Sequence, residues 1–188
     1  MLENPNSRVT AIFREHPALL VSAFYLAASF IGMFYSWAYL RRFGINVFNY
    51  AQISDFLLAS LKEPYTWALV ALAAAMVLID NRSSLRVERK QPGKLWAWYG
   101  SPRYRFINNF LAILMVLVFI FAYANRQAND TLEGNGKLVD VTFMESSAEQ
   151  TSTLLGTTGQ FVFLYDVEIE RVHIHPLEAI SSIAFQAD

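Results

Sequence analysis

Residues Phe106–Ala124 read FINNFLAILMVLVFIFAYA, an apolar run closed by Arg105 and Arg126. An α-helix rises about 1.5 Å per residue and needs roughly 20 apolar residues to cross the hydrocarbon core of a bilayer. The run has that length and reads as a transmembrane helix. The chain changes character across it. Up to Ala124 there are 12 Lys and Arg against 6 Asp and Glu, and beyond it 3 against 10. The sequence before the run is cationic and rich in tryptophan, whereas the sequence after it is acidic and patterned like strands.

Composition agrees with a membrane protein. Of the 188 residues, 54% are hydrophobic and only 16% charged, against about 25% charged in an ordinary soluble domain. Cysteine is absent, which removes disulfides, thiolate metal sites, iron–sulfur clusters and cysteine nucleophiles.

Working outward, two further spans are expected before the run. Ala18–Leu40 is apolar and contains Ala27, Ala28, Ser29 and Gly32, a stripe small enough for another helix to approach closely. It ends in the aromatic cluster Phe34, Tyr35, Trp37 and Tyr39, then Arg41-Arg42. Tyr65–Ile79 is short for a bilayer, and its alanines make it slim. Between them, Tyr50, Ile53, Phe56, Leu57, Leu58 and Leu61 fall on one side of a helical wheel, which predicts an amphipathic helix over about 50–62 lying in the membrane interface or across the mouth of a bundle. Residues 1–16 form an interfacial lead-in. The resulting domain reading is a three-helix membrane domain over 17–125, with spans at about 18–40, 65–79 and 106–124, followed by a β-rich domain over 126–188.

The segment 80–105 carries Arg82, Arg86, Arg89, Lys90, Lys94, Arg103 and Arg105 beside Trp96 and Trp98. Aromatic and basic residues also suit single-stranded nucleic acid, but between two spans they are what the positive-inside rule and the interfacial aromatic belt require. These residues are therefore expected at the membrane interface, with the bilayer and not nucleic acid as partner. With three spans, 9 Lys and Arg share a side with the N-terminus and 6 share the other. The expected topology is an inner (plasma) membrane of bacterial type, N-terminus cytoplasmic and β domain outside.

In the last third, Lys137–Met144, Gln160–Tyr165 and Arg171–His175 read as strands, and Glu145–Ser152 as a loop. Ile180–Phe185 fits a final strand, or part of a helix starting at Leu177. A small barrel or sandwich of about 55 residues has a marginal core of its own, so it is expected to pack against copies of itself.

Few residues can carry chemistry. His173 and His175 lie two apart on one strand face and can share a metal ion, with Glu168 or Glu170 adding a carboxylate. The plainer reading is that Val172 and Ile174 fill the core while the histidines face outward. Asn108 and Asn109 are the polar groups placed to join helices or, as the second reading, to line a pore, and Asp55 reads first as a solvated or capping charge and second as a pore residue. No nucleophile elbow, phosphate loop or HExxH motif occurs, so no enzyme and no cofactor are expected. The order of three spans and a small β domain is similar, in architecture alone, to the small-conductance mechanosensitive channels. Their third helix is rich in glycine and alanine where this one carries Leu, Ile, Val and Phe, and their β domain is cytoplasmic. The expected function is a non-enzymatic homo-oligomer with the β domain as assembly collar, an ion-conducting channel being one use of it. The alternatives are an anchored scaffold whose β domain binds a protein partner, and a metal sensor.

Overall fold

The computed structural model describes residues 17–62, 64–88, 101–144 and 146–186. The described chain runs α1 (Pro17–Leu40), two single 3-10 turns (Arg41–Phe43 and Val47–Asn49), α2 (Ile53–Lys62), α3 (Pro64–Glu88), α4 (Pro102–Asp130), a π-type turn (Thr131–Asn135) and five strands. The strands are β1 (Leu138–Phe143), β2 (Ser146–Thr157), β3 (Phe161–Asp166), β4 (Arg171–Pro176) and β5 (Ile180–Phe185). Pro17 opens α1, where a missing N–H costs nothing. Two compact units form, one from residues 1–62 with 128–188 and one from 63–127. The cut lies inside the segment expected to be one membrane domain: the chain up to Lys62 clusters with the strands, and α4 passes from one unit to the other at Ala128.

In the first unit α1 and α2 cross closely. Ala28 and Gly32 are buried, and a Cβ at position 32 would collide with the Phe56 carbonyl oxygen and lie 2.9 Å from the Ser60 nitrogen. The small stripe expected on the first span thus receives a helix, and that helix is α2. The apolar arc of α2 is divided between two environments. Phe56 is buried, while Ile53, Leu58 and Leu61 stay exposed.

The strands form one antiparallel sheet in the order β4-β3-β2-β1-β5. It is an open sheet, which corrects the expected barrel or sandwich. The edge strands nevertheless curl toward each other. Four inter-strand spacings of about 4.8 Å would put β4 and β5 roughly 19 Å apart in a flat ladder, yet only Leu177–Ala179 join them, a reach of at most about 14 Å. The rings of Phe143 on β1 and His175 on β4 have centroids 4.6 Å apart across two intervening strands. Curling encloses Val139, Val141, Val162 and Leu164 on the concave face. The other face, with Leu155, Phe163 and Tyr165, packs on Leu40, Ile45, Val47 and Phe56. Segment 40–56 therefore supplies half of a core that the strands alone lack.

Two sequence expectations change here. Ser146–Ser152 is strand, not loop: Ser152 and Thr153 are buried without being apolar, so the alternation that marks a strand is hidden. Among the described residues one helix, Pro102–Asn135, is long and apolar enough to cross a membrane, where three were expected. The α3 helix contributes only a shorter apolar segment, Val70–Asp80.

Candidate functional site

Asp55 sits in the first turn of α2 and uses both carboxylate oxygens. Oδ2 accepts from the Gln52 N–H at 2.8 Å, closing the open N-terminus of the helix as a capping-box acid does. Oδ1 accepts from the Gly159 N–H at 3.0 Å, in the turn between β2 and β3. Edge-to-face aromatic pairs reinforce this attachment: Tyr50 on Phe161 and Phe163, with centroids 5.3 and 5.8 Å apart, and Phe43 on Tyr165 at 5.3 Å. Each such pair is worth about 0.5–1.5 kcal/mol beyond its buried area. At the end of α1, Arg42 donates to Asn129 Oδ1 at 2.9 Å and the hydroxyls of Tyr39 and Thr131 lie 3.2 Å apart, which ties α1 to the last residues of α4 and the turn after it. Asp55 is thus a fastener between α2 and the sheet.

The second unit holds a polar cluster between α3 and α4. Asn108 Nδ2 donates to Asp80 Oδ2 at 3.0 Å, and the Tyr104 hydroxyl donates to Asp80 Oδ1 at 3.4 Å. The i, i+4 spacing of Tyr104 and Asn108 puts both on one face of α4. The neighbouring residue Asn109 points elsewhere, and its Oδ1 is buried without a hydrogen-bond partner. Near the far end of the apolar run, the Asn125 amide donates to the Phe121 carbonyl at 2.7 Å within its own helix. Asp80 is the residue that sequence reading missed. The available signal was an acid closing one apolar run and an amide opening the next on the same side of a hairpin.

His173 and His175 share a face of β4, with ring centroids 6.1 Å apart and planes 14° from parallel. They lie on the concave side, opposite Leu164 and Val162 in the ladder, and not on an outward face. Burial, and secondarily the charge of His173, hold the His175 pKa below its ordinary value. The Nε2 of His173 is buried without a partner. Glu168 and Glu170 stay exposed in the β3–β4 turn. Among the described residues no group of three or more His, Cys, Asp or Glu is placed to hold a metal ion. On the other flank of the sheet, Asp140 accepts from Thr151 at 2.6 Å and from Gln186 at 3.0 Å, bonds that lower its pKa and link β2, β1 and the end of β5.

Of the expected interface residues, Arg82 is exposed on α3 and Arg86 falls within the same helix. Arg89, Lys90, Trp96 and Trp98 lie outside the described residues, as does segment 1–16. Comparison with protein-family models, curated proteins and solved structures finds no match to this chain.

Proposed function

We propose that this chain is a non-enzymatic integral membrane protein that assembles with copies of itself, with the sheet-bearing unit as the assembly module. The observation that carries the membrane part is the surface of Pro102–Asn135: only 6% of its most apolar window is buried, whereas an apolar helix in a soluble core would be covered by protein. Bulky residues such as Phe106, Phe110, Ile113 and Phe119 face outward, as lipid requires. In this reading α1 also embeds its uncharged first half, where Leu19, Val21, Phe24 and Phe30 are exposed, α3 inserts through its apolar segment Val70–Asp80, and the exposed Ile53, Leu58 and Leu61 of α2 rest in the interface. The basic end of α4, at Arg103 and Arg105, is cytoplasmic and the acidic sheet lies outside.

Asn108, one of the polar side chains expected to line a pore, is instead engaged by Asp80 on the neighbouring helix. That arrangement favours an anchored assembly over a conducting pore. Light scattering of the detergent-purified protein tests the reading: a defined multiple of 21.4 kDa is expected, and a clean monomer refutes self-assembly. A single cysteine in place of Gln160, which is exposed, tests orientation. An impermeant maleimide is expected to label it in intact cells, and protection reverses the topology.

A further inference from the structure

The five-stranded sheet has two free edges, and both belong to short strands. Alternation along an antiparallel pair determines which backbone groups point outward. On β4 the Leu177 N–H donates to the Gln160 carbonyl, so His175 and His173 direct their backbone groups toward β3 while Val172 and Ile174 direct theirs away. On β5 the Gln186 N–H donates to the Leu138 carbonyl, so Ala184 and Ser182 bond toward β1 while Ile183 and Phe185 present theirs outward. Among the described residues no hydrogen bond satisfies these outward groups.

Soluble edges are ordinarily protected by lysine, by proline within the strand or by a covering loop. β5, Ile-Ser-Ser-Ile-Ala-Phe, carries neither lysine nor proline, and β4 carries its charge and its proline only at its two ends, Arg171 and Pro176, with Val-His-Ile-His between them. The residues flanking the edges are apolar as well, with Leu177 and Phe185 exposed by 45% and 66%. The two edges do not satisfy each other within one chain, because the sheet stays open between them.

We propose that the β4 edge of each copy pairs with the β5 edge of the next, joining the sheets head to tail into a closed ring. The occupant follows from the pairing itself. A foreign strand would satisfy one edge and leave the other bare, whereas a second copy satisfies one edge of each partner and ring closure satisfies all of them. A head-to-tail interface yields either a ring or a helical filament. Membrane anchoring selects the ring, because copies held at one depth cannot climb along a filament axis. This interface rests on the self-assembly reading above and gives it a defined contact.

The absence of cysteine makes the test direct. Arg171 and Ala184 are exposed at the two edges. The Arg171→Cys/Ala184→Cys protein, purified full-length and treated with a short bismaleimide, is expected to give a ladder from dimer to a fixed largest species, while either single variant stays monomeric on a denaturing gel. A cross-linked dimer from a single variant means two-fold edge pairing and overturns the proposal. No cross-link in a protein that light scattering shows to be oligomeric overturns this interface but leaves self-assembly standing, whereas a monomer overturns both. Phe185→Pro removes only an outward donor from an edge strand, a place where proline is tolerated. In the double-cysteine background it is expected to abolish the ladder with the circular dichroism unchanged, while Phe185→Ala retains it. A full ladder with Phe185→Pro overturns the pairing.

Discussion

Gly32→Ala is the sharpest test of the packing between α1 and α2, because the two possible answers differ in sign. In an open helix the change is favourable by about 0.5–1 kcal/mol, since alanine is the better helix former. Here the added methyl would strike the Phe56 carbonyl oxygen and lie 2.8 Å from the Phe56 carbonyl carbon and 2.9 Å from the Ser60 nitrogen. All three are backbone atoms, so no side-chain rotation relieves the contact and α2 must retreat as a body. It is held from the opposite side by Phe56 in the core and by the Asp55–Gly159 bond. Because the contacts are with backbone atoms, the overpacking cost falls in the upper part of the usual range, about 2–3 kcal/mol, which leaves a net loss of about 1–2.5 kcal/mol after the helix-propensity gain. For a chain of this size that corresponds to a Tm roughly 2–10 °C lower. The measurement is thermal unfolding in detergent, followed by near-ultraviolet circular dichroism. Gly44→Ala is a useful comparison: it has no neighbour within 4 Å, but its φ of +74° strains any side chain, so it destabilises through the backbone alone. A Tm at or above that of the unmodified protein for Gly32→Ala would refute the close crossing.

Three further outcomes are expected. Asp55→Ala leaves the N–H groups of Gln52 and Gly159 without their acceptor and should cost about 1–2 kcal/mol, while Asp55→Asn, which keeps one acceptor, should cost less; equal stability of all three proteins in urea would remove Asp55 as a fastener. A double-mutant cycle of Asp80→Ala and Asn108→Ala should show a coupling of about 0.5–1.5 kcal/mol in detergent unfolding, in the range of hydrogen bonds between membrane helices; strict additivity would show that the contact contributes nothing. His175 has a folded pKa held below 6.5, so the unfolded chain takes up the proton first. Its contribution is complete above the ordinary imidazole value and is lost as pH falls below it, and the urea midpoint should be lower at about pH 5.5 than at about pH 7.5; a His175→Phe protein with the same pH slope would assign the effect elsewhere.

The elements that sequence reading located are those whose signal is local. The run at 106–124 announces a helix through length and polarity, and Gln160–Tyr165 announces a strand by its β-branched and aromatic content between turn residues. Ser146–Ser152 gave no such signal, because Ser152, the residue buried there among those whose burial is described, is a small hydroxyl residue and its pairing with β1 is a property of the ladder, not of the strand. Likewise, the helical wheel of 50–62 predicted one apolar arc but not that Phe56 leaves it for the core while Leu58 and Leu61 remain outside. Periodicity specifies a face and is silent about the partner. The same limit hid Asp80, whose role appears only when Asn108, 28 residues further on, is brought opposite.

The joint between linker and sheet explains why so short a β segment can be ordered. A domain of about 60 residues buries too little surface to be more than marginal alone, and this one is open along two edges. Its concave face is closed by its own curl around Val139, Val141, Val162 and Leu164. Its other face is closed by residues from before α3, joined by Leu132, with Val47 and Phe56 almost fully buried beside Phe163. Removing them exposes Phe163, Tyr165 and Leu155 together, and fully burying each such side chain is worth about 1.5–3 kcal/mol. The loss is comparable to the whole stability of a small domain. Residues 126–188 produced alone should therefore lack dispersed amide signals in a proton–nitrogen NMR spectrum. Adding a separate peptide covering 40–62 should restore them, because the missing half of the core is carried by that segment. A well-dispersed spectrum from 126–188 by itself would show that the strands hold a sufficient core and that the linker only rests against it.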